Sequence, residues 1–136
     1  MRVLIVDDEI TSRKILQKSL TPYSTCDFAV NGAEAITSFK KALLSDAPYD
    51  LICMDIMMPN IDGQQAVKEI RNLEKEKGVK PKKEVKIIMV TALGDPKNAI
   101  EAFYQGRATS YLVKPISVEK LLEEVKKLGL PLKSPG

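Results

Sequence analysis

The sequence predicts an α/β fold, a five-stranded parallel sheet with helices packed on both faces. Three observations carry the prediction. Short runs such as Val3–Val6, Leu51–Met54 and Ile87–Val90 are continuously apolar, the mark of strands buried on both faces. Between them lie segments with apolar residues at helical spacing. The two patterns alternate five times, which implies parallel strands joined by right-handed crossovers.

Taken in order, Val3–Val6 is the first strand, and Asp7, Asp8 and Glu9 follow it directly. Ile10, Ile15, Leu16 and Leu20 form a rough helical stripe that Thr21-Pro22 ends. Thr25–Val30 reads as the second strand. Asn31-Gly32 breaks it, and Asn31 with Glu34 resembles a capping box. Ala35, Ile36, Phe39 and Leu43 are the inward stripe of the second helix, which Ala47-Pro48 closes. The third strand runs into Asp55; Pro59 and Gly63 then turn the chain. Asp62 can cap a third helix whose inward residues are Ala66, Val67, Ile70 and Leu73.

Residues 74–86 are crowded with charge. Their mixed signs favour a solvated connection over a basic partner-docking arm. Ile87–Val90 is the fourth strand, ending on Thr91. Asp95-Pro96 starts the fourth helix, with Ala99, Ile100, Ala102 and Phe103 facing the core. Tyr111–Val113 is the fifth strand, ending on Lys114-Pro115. Ser117 caps the last helix, which carries Val118, Leu121, Leu122, Val125 and Leu128 until Gly129 and Pro131 stop it. This divides the chain into one domain, residues 1–129, and a short C-terminal tail, 130–136.

The composition narrows the chemistry. With 136 residues, 44% hydrophobic and 29% charged, the chain can bury a real core and is not expected to be disordered. It contains no histidine and no tryptophan. That excludes Ser-His-Asp and Cys-His catalysis, imidazole-dependent zinc sites and a phosphohistidine carrier. Neither a P-loop nor a G-x-G-x-x-G turn is present, so the usual nucleotide cradles are missing. Cys26 and Cys53 have no metal-ligand spacing and read as reduced packing residues of a cytoplasmic protein. A net charge of +3 does not by itself imply nucleic acid. No apolar run reaches membrane-spanning length.

In open parallel sheets, ligands bind beyond the carboxyl ends of the strands. Strand phase puts Asp7 and Asp8 there after the first strand, Asp55 after the third, Thr91 after the fourth and Lys114 after the fifth. Three adjacent carboxylates repel one another unless a cation sits among them. Oxygen donors without imidazole or thiolate suit Mg²⁺, with Mn²⁺ as the alternative ion. In such a site Asp55 can attack phosphorus as a nucleophile. Lys114 and Thr91 would then cover phosphoryl oxygens by charge and by hydrogen bond.

The runs Val3-Leu-Ile-Val-Asp7-Asp8-Glu9, Asp50-Leu-Ile-Cys-Met-Asp55-Ile-Met-Met-Pro59-Asn-Ile-Asp-Gly63, Val90-Thr91-Ala92 and Tyr111-Leu-Val-Lys114-Pro115 resemble the receiver domain of bacterial two-component response regulators, of the CheY-like type. The resemblance spans residues 2 to about 128 in family order. It implies a flavodoxin-like (βα)5 sheet of order 2-1-3-4-5. It also implies phosphorylation of Asp55 by a sensor histidine kinase or phosphotransfer protein. The implied metal ligands are Asp8, Asp55 and the backbone carbonyl of Met57, with Asp7 acting through a water. The Lys114-Pro115 bond would be cis. Thr91 and Tyr111 would relay the signal to a face made by the fourth helix, the fifth strand and the last helix, and that face would control a downstream protein.

This sequence departs from the family in two places. Arg107 stands where relatives carry glycine, with Gly106 one position earlier. Met57 and Leu93 are apolar where many relatives are polar, which would hinder water and lengthen the life of an acyl phosphate. The expected module is a stand-alone receiver, or a fragment of a longer regulator, that acts on no external substrate and enters neither nucleic acid nor membrane. Its rivals are an Mg²⁺-dependent phosphohydrolase using Asp55 and a non-phosphorylated interaction scaffold. Against the first, the acid commonly needed two residues beyond the nucleophile is Met57.

Overall fold

Among the described residues, strands and helices follow one another in the expected order. In the computed structural model, which describes residues 1–56, 63–91, 108–130 and 132, the strands are β1 (Arg2–Val6), β2 (Thr25–Ala29), β3 (Leu51–Asp55), β4 (Lys86–Thr91) and β5 (Ser110–Val113). The helices are α1 (Ile10–Leu20), α2 (Gly32–Leu44), α3 (Gly63–Glu76) and a C-terminal helix (Val118–Lys127). All neighbouring strands pair parallel, in the order β2-β1-β3-β4-β5. The Asp62 cap and the helix expected from Asp95-Pro96, with Ala99, Ile100, Ala102 and Phe103, lie outside the described residues.

Successive strand residues point to opposite faces, so each apolar run feeds two cores. Leu4, Val6, Ile52, Met54, Ile87 and Met89 pack with Phe39 of α2 and with Val67 and Ile70 of α3. Val3, Ile5, Leu51, Cys53 and Ile88 pack with Leu16 and Leu20 of α1 and with Leu121 and Val125 of the C-terminal helix. Burial pushes the Cys53 thiol up to about 12, with a smaller contribution from Cys26, which makes it an inert packing group.

Several local expectations are corrected. Ile10 and Ile15 are 56% and 37% exposed. The buried stripe of α1 is Ser12, Leu16, Ser19 and Leu20, because both serines satisfy their hydroxyls locally. Ser19 donates to the Ile15 carbonyl at 2.7 Å and Ser12 to the Glu9 carboxylate at 3.2 Å. Val30 lies beyond β2, and Val118 at the start of the last helix is 46% exposed. At α2, Asn31 accepts from the Glu34 N–H at 2.8 Å, but Glu34 reaches the N–H of Val30 at 3.3 Å rather than that of the cap residue. The Ser117 cap forms as expected, accepting from the Lys120 N–H.

The charged stretch 74–86 is not wholly a solvated loop. Glu74 belongs to α3 and is 2% exposed. One carboxylate oxygen accepts from Arg71 at 2.6 Å and the other from the Val85 N–H at 2.7 Å. Glu74 thus pins the end of α3 to the start of β4. Burial pushes its carboxyl up, and the bonds from Arg71 and Val85 oppose that only in part.

Candidate functional site

The sheet register assembles an acidic cluster at the carboxyl ends of the strands. Val6 pairs with Met54, so the same register carried one residue further sets Asp7 opposite Asp55. Asp7 is fully buried, Asp55 is 5% exposed and Asp8 is exposed. One oxygen from each of the three carboxylates lies within 4.8 Å of the others. Lys114, just past β5, brings its Nζ to 3.5 Å from Asp55 Oδ2 and 3.4 Å from Asp7 Oδ2. Burial works to lower the Lys114 pKa, but the carboxylates of Asp55, Asp7 and Glu9 outweigh it, and the net direction is up. Lys114 therefore stays an ammonium at neutral pH.

The surrounding backbone fixes these groups. The Lys114 N–H donates to the Thr91 carbonyl at 2.7 Å, which ties the end of β5 to the end of β4. Thr91 itself is buried, and the Lys114-Pro115 peptide bond is cis. Tyr111, in β5, is 39% exposed. Asp7 Oδ1 accepts from the Glu9 N–H at 2.9 Å, and Arg13 donates to the Asp7 carbonyl at 3.1 Å. Among the described residues, Asp7 Oδ2 accepts no hydrogen bond although it is buried; its contact with Lys114 is an ion pair without hydrogen-bond direction. A buried polar atom in that state is costly unless something satisfies it.

Chemically, the cluster offers hard oxygen donors and a balance of two negative charges once Lys114 is counted. That donor set fits a divalent cation such as Mg²⁺ or Mn²⁺. Met57, whose carbonyl was expected to contribute, lies outside the described residues, as do Leu93, Gly106 and Arg107.

Two contributors escaped the sequence reading. Arg13 braces the loop after β1. Its signal was its place one turn into α1, on the side facing back to the strand end. Gly63 was expected at a turn, yet its importance is contact. A Cβ there would meet the Asp55 carbonyl oxygen at 2.5 Å, the Ile56 Cα at 2.8 Å and the Met89 Cε at 3.0 Å. Only glycine lets α3 start this close to the end of β3.

The sequence model of the response regulator receiver domain matches residues 3–126. The chemotaxis protein CheY of Bacillus subtilis is 34% identical over 128 residues, covering 93% of this chain and 95% of that protein. The transcriptional regulatory protein ResD of the same organism is 38% identical over 128 residues, but the chain spans 47% of its length. Among solved structures, the response regulator TrrA of Thermotoga maritima, crystallised in complex with Mg²⁺-BeF, superposes with a TM-score of 0.72 at 34% identity, covering 93% of this chain and 97% of that one. The receiver domain of Ssk1 from Saccharomyces cerevisiae, solved with the histidine phosphotransfer protein Ypd1, gives 0.78 at 28% identity and covers 95% and 88%. Among the described residues no helix is long and apolar enough to cross a membrane. The strand order, the acids that the register gathers and a match running through almost every element agree, and the chain belongs to the CheY-like response regulator receiver domains of two-component signalling.

Proposed function

We propose that this receiver is a phosphorylation-controlled signalling module whose phosphoacceptor is Asp55. The observation that carries the reading is the convergence of Asp7, Asp8 and Asp55 within 4.8 Å, with the Lys114 ammonium 3.5 Å from Asp55 Oδ2. A carboxylate oxygen of Asp55 attacks the phosphorus of a phosphohistidine on a sensor kinase or phosphotransfer protein. The new P–O bond forms as the P–N bond breaks, and the departing imidazole takes up a proton.

Asp8, Asp55 and the Met57 carbonyl would hold Mg²⁺, or Mn²⁺, with Asp7 acting through a water. The ion would supply charge neutralisation on a phosphoryl oxygen. Lys114 covers a second oxygen as a point charge already drawn into position by Asp55 and Asp7. Thr91 covers a third through its hydroxyl. Because the Thr91 carbonyl holds the Lys114 N–H, a shift of Thr91 moves the start of the segment after β5. Half-exposed Tyr111, three residues earlier, is the group through which the switch reaches the output face. Two conformations biased by a local charge change suffice for such a device. The module works in the cytoplasm, acts on no external substrate and delivers its output to a partner protein.

Phosphorylation with acetyl phosphate and Mg²⁺, followed by intact mass, tests the assignment. Wild type takes one phosphoryl group and Asp55→Asn takes none. Equal labelling of the two overturns it. Sustained turnover of an external phosphate ester would favour a phosphohydrolase, and a complete lack of response to donor and metal would favour a scaffold.

A further inference from the structure

We infer that the chain carries a second binding site, at the end of the sheet opposite the acidic cluster, and that it takes an acidic peptide segment of a partner protein. The site is a cleft of about 660 Å³ between the α2 and α3 ends and the start of β4. Its apolar lining includes Leu43, Val79 and Val85, and its cations are Lys77, Lys80, Lys82, Lys83 and Lys86. Lys86 opens β4 opposite Leu51, the first residue of β3, four residues of strand below Asp55. At about 3.3 Å per residue the cleft lies roughly 13 Å from the phosphoacceptor, beyond a Debye length of about 8 Å at physiological salt.

The charge is concentrated here. Residues 74–86 hold six lysines and three glutamates, a surplus of three, and the surplus of the whole chain is also three. The remainder of the molecule is neutral in sum. Two of the acids in the cleft are turned to internal work: Glu74 binds Arg71 and the Val85 N–H, and Asp50 accepts from the Arg2 N–H at 2.8 Å. Among the described residues, none of the five cleft lysines is in an ion pair. Five uncommitted cations ring a concave surface against one uncommitted acid, Glu84.

The chemistry of the lining selects the occupant. All five cations are lysines, flexible point charges that lack the planar fork used for tight phosphate recognition. The aromatic residues of the cleft, Tyr49 and Phe39, are 6% and 1% exposed, and Arg2 covers the Tyr49 ring at 4.7 Å. No stacking platform for a nucleobase is therefore offered. An apolar floor under a lysine rim matches a segment with a few apolar anchors among many carboxylates, held by charge complementarity. The mixed signs in the sequence concealed this, because they did not show which acids were already spent.

A fluorescein-labelled twelve-residue peptide of Glu and Asp with two Leu, titrated with the 136-residue chain and read by anisotropy, tests the proposal. Lys77→Glu/Lys82→Glu/Lys83→Glu should weaken binding at least about tenfold, since each reversal replaces an exposed attraction by a repulsion. Lys18→Glu/Lys40→Glu/Lys126→Glu makes the same change in net charge at exposed sites elsewhere and should weaken it less than about threefold. Amide shifts on binding should cluster at residues 77–86, and Asp55 labelling by acetyl phosphate should be unchanged in the cleft variant. Equal losses in the two triple variants, absence of binding at millimolar protein, or tighter capture of duplex DNA than of the peptide would each overturn the proposal.

Discussion

Gly63→Ala should damage both the fold and the site, and the structure sets the size of the effect. The added methyl would lie 2.5 Å from the Asp55 carbonyl oxygen and 2.8 Å from the Ile56 Cα. Both are backbone atoms, so no rotamer change relieves them. The Gly63 N–H also donates to the Ile56 carbonyl at 2.9 Å, so retreat of α3 stretches that bond. Overpacking of this kind costs about 1–3 kcal/mol, against a helix-propensity gain for Ala over Gly of at most about 1 kcal/mol. Because the clash is with main chain, the upper part of that range is expected, a net loss near 2 kcal/mol. For a domain of this size that lowers Tm by roughly 5–8 °C. The chain has no tryptophan, so circular dichroism against temperature and urea is the suitable probe, with the urea slope unchanged and the midpoint reduced. The same shift displaces the Asp55 main chain, and the rate of labelling by acetyl phosphate should fall with it. A variant with wild-type Tm and urea midpoint would refute the close-approach account of Gly63.

Three further outcomes follow from named contacts. Asp7→Asn removes the charge of one of three mutually repelling carboxylates; in metal-free buffer it should stabilise the protein by roughly 1 kcal/mol, and added Mg²⁺ should raise the Tm of the wild type more than that of the variant. Glu74→Ala strips partners from both Arg71 and the Val85 N–H and should cost about 2–4 kcal/mol in urea unfolding. Since the folded-state pKa of Glu74 is raised, the native state holds its proton to higher pH than the unfolded chain, so this group's contribution to stability falls as pH rises above the ordinary glutamate value. Unfolding free energies measured from pH 4 to 7 should therefore decline less steeply for Glu74→Gln than for wild type, and parallel curves would refute the assignment.

The sheet was legible because its strands are buried on both faces. Val3–Val6, Leu51–Met54 and Ile87–Val90 have no other use for continuous apolar runs, and the acids, Thr91 and Lys114 follow by counting to each strand end. α1 was less legible. Its inward stripe includes two serines that satisfy themselves within the helix, so a count of apolar residues picked Ile10 and Ile15 instead. Glu74 was hidden for a related reason: a charged letter among charged letters reads as solvent-facing until its partners, one of them a backbone N–H eleven residues away, are known. Gly63 showed as a turn signal, but the reason for it is a tertiary approach that no local pattern encodes.

The way Asp7 and Asp55 each extend a buried strand makes the molecule unevenly tolerant of insertion and deletion. One residue added within β1 or β3 would exchange the faces of everything beyond it and carry a carboxylate into hydrocarbon. Added among the exposed residues between Glu76 and Glu84, at the opposite end of the sheet, the same residue would lengthen a surface connection and leave the strand faces as they are. Divergence in length is therefore cheap on the lysine-bearing side and forbidden on the acidic side, so new associations can be tried at one pole while the chemistry at the other stays unaltered.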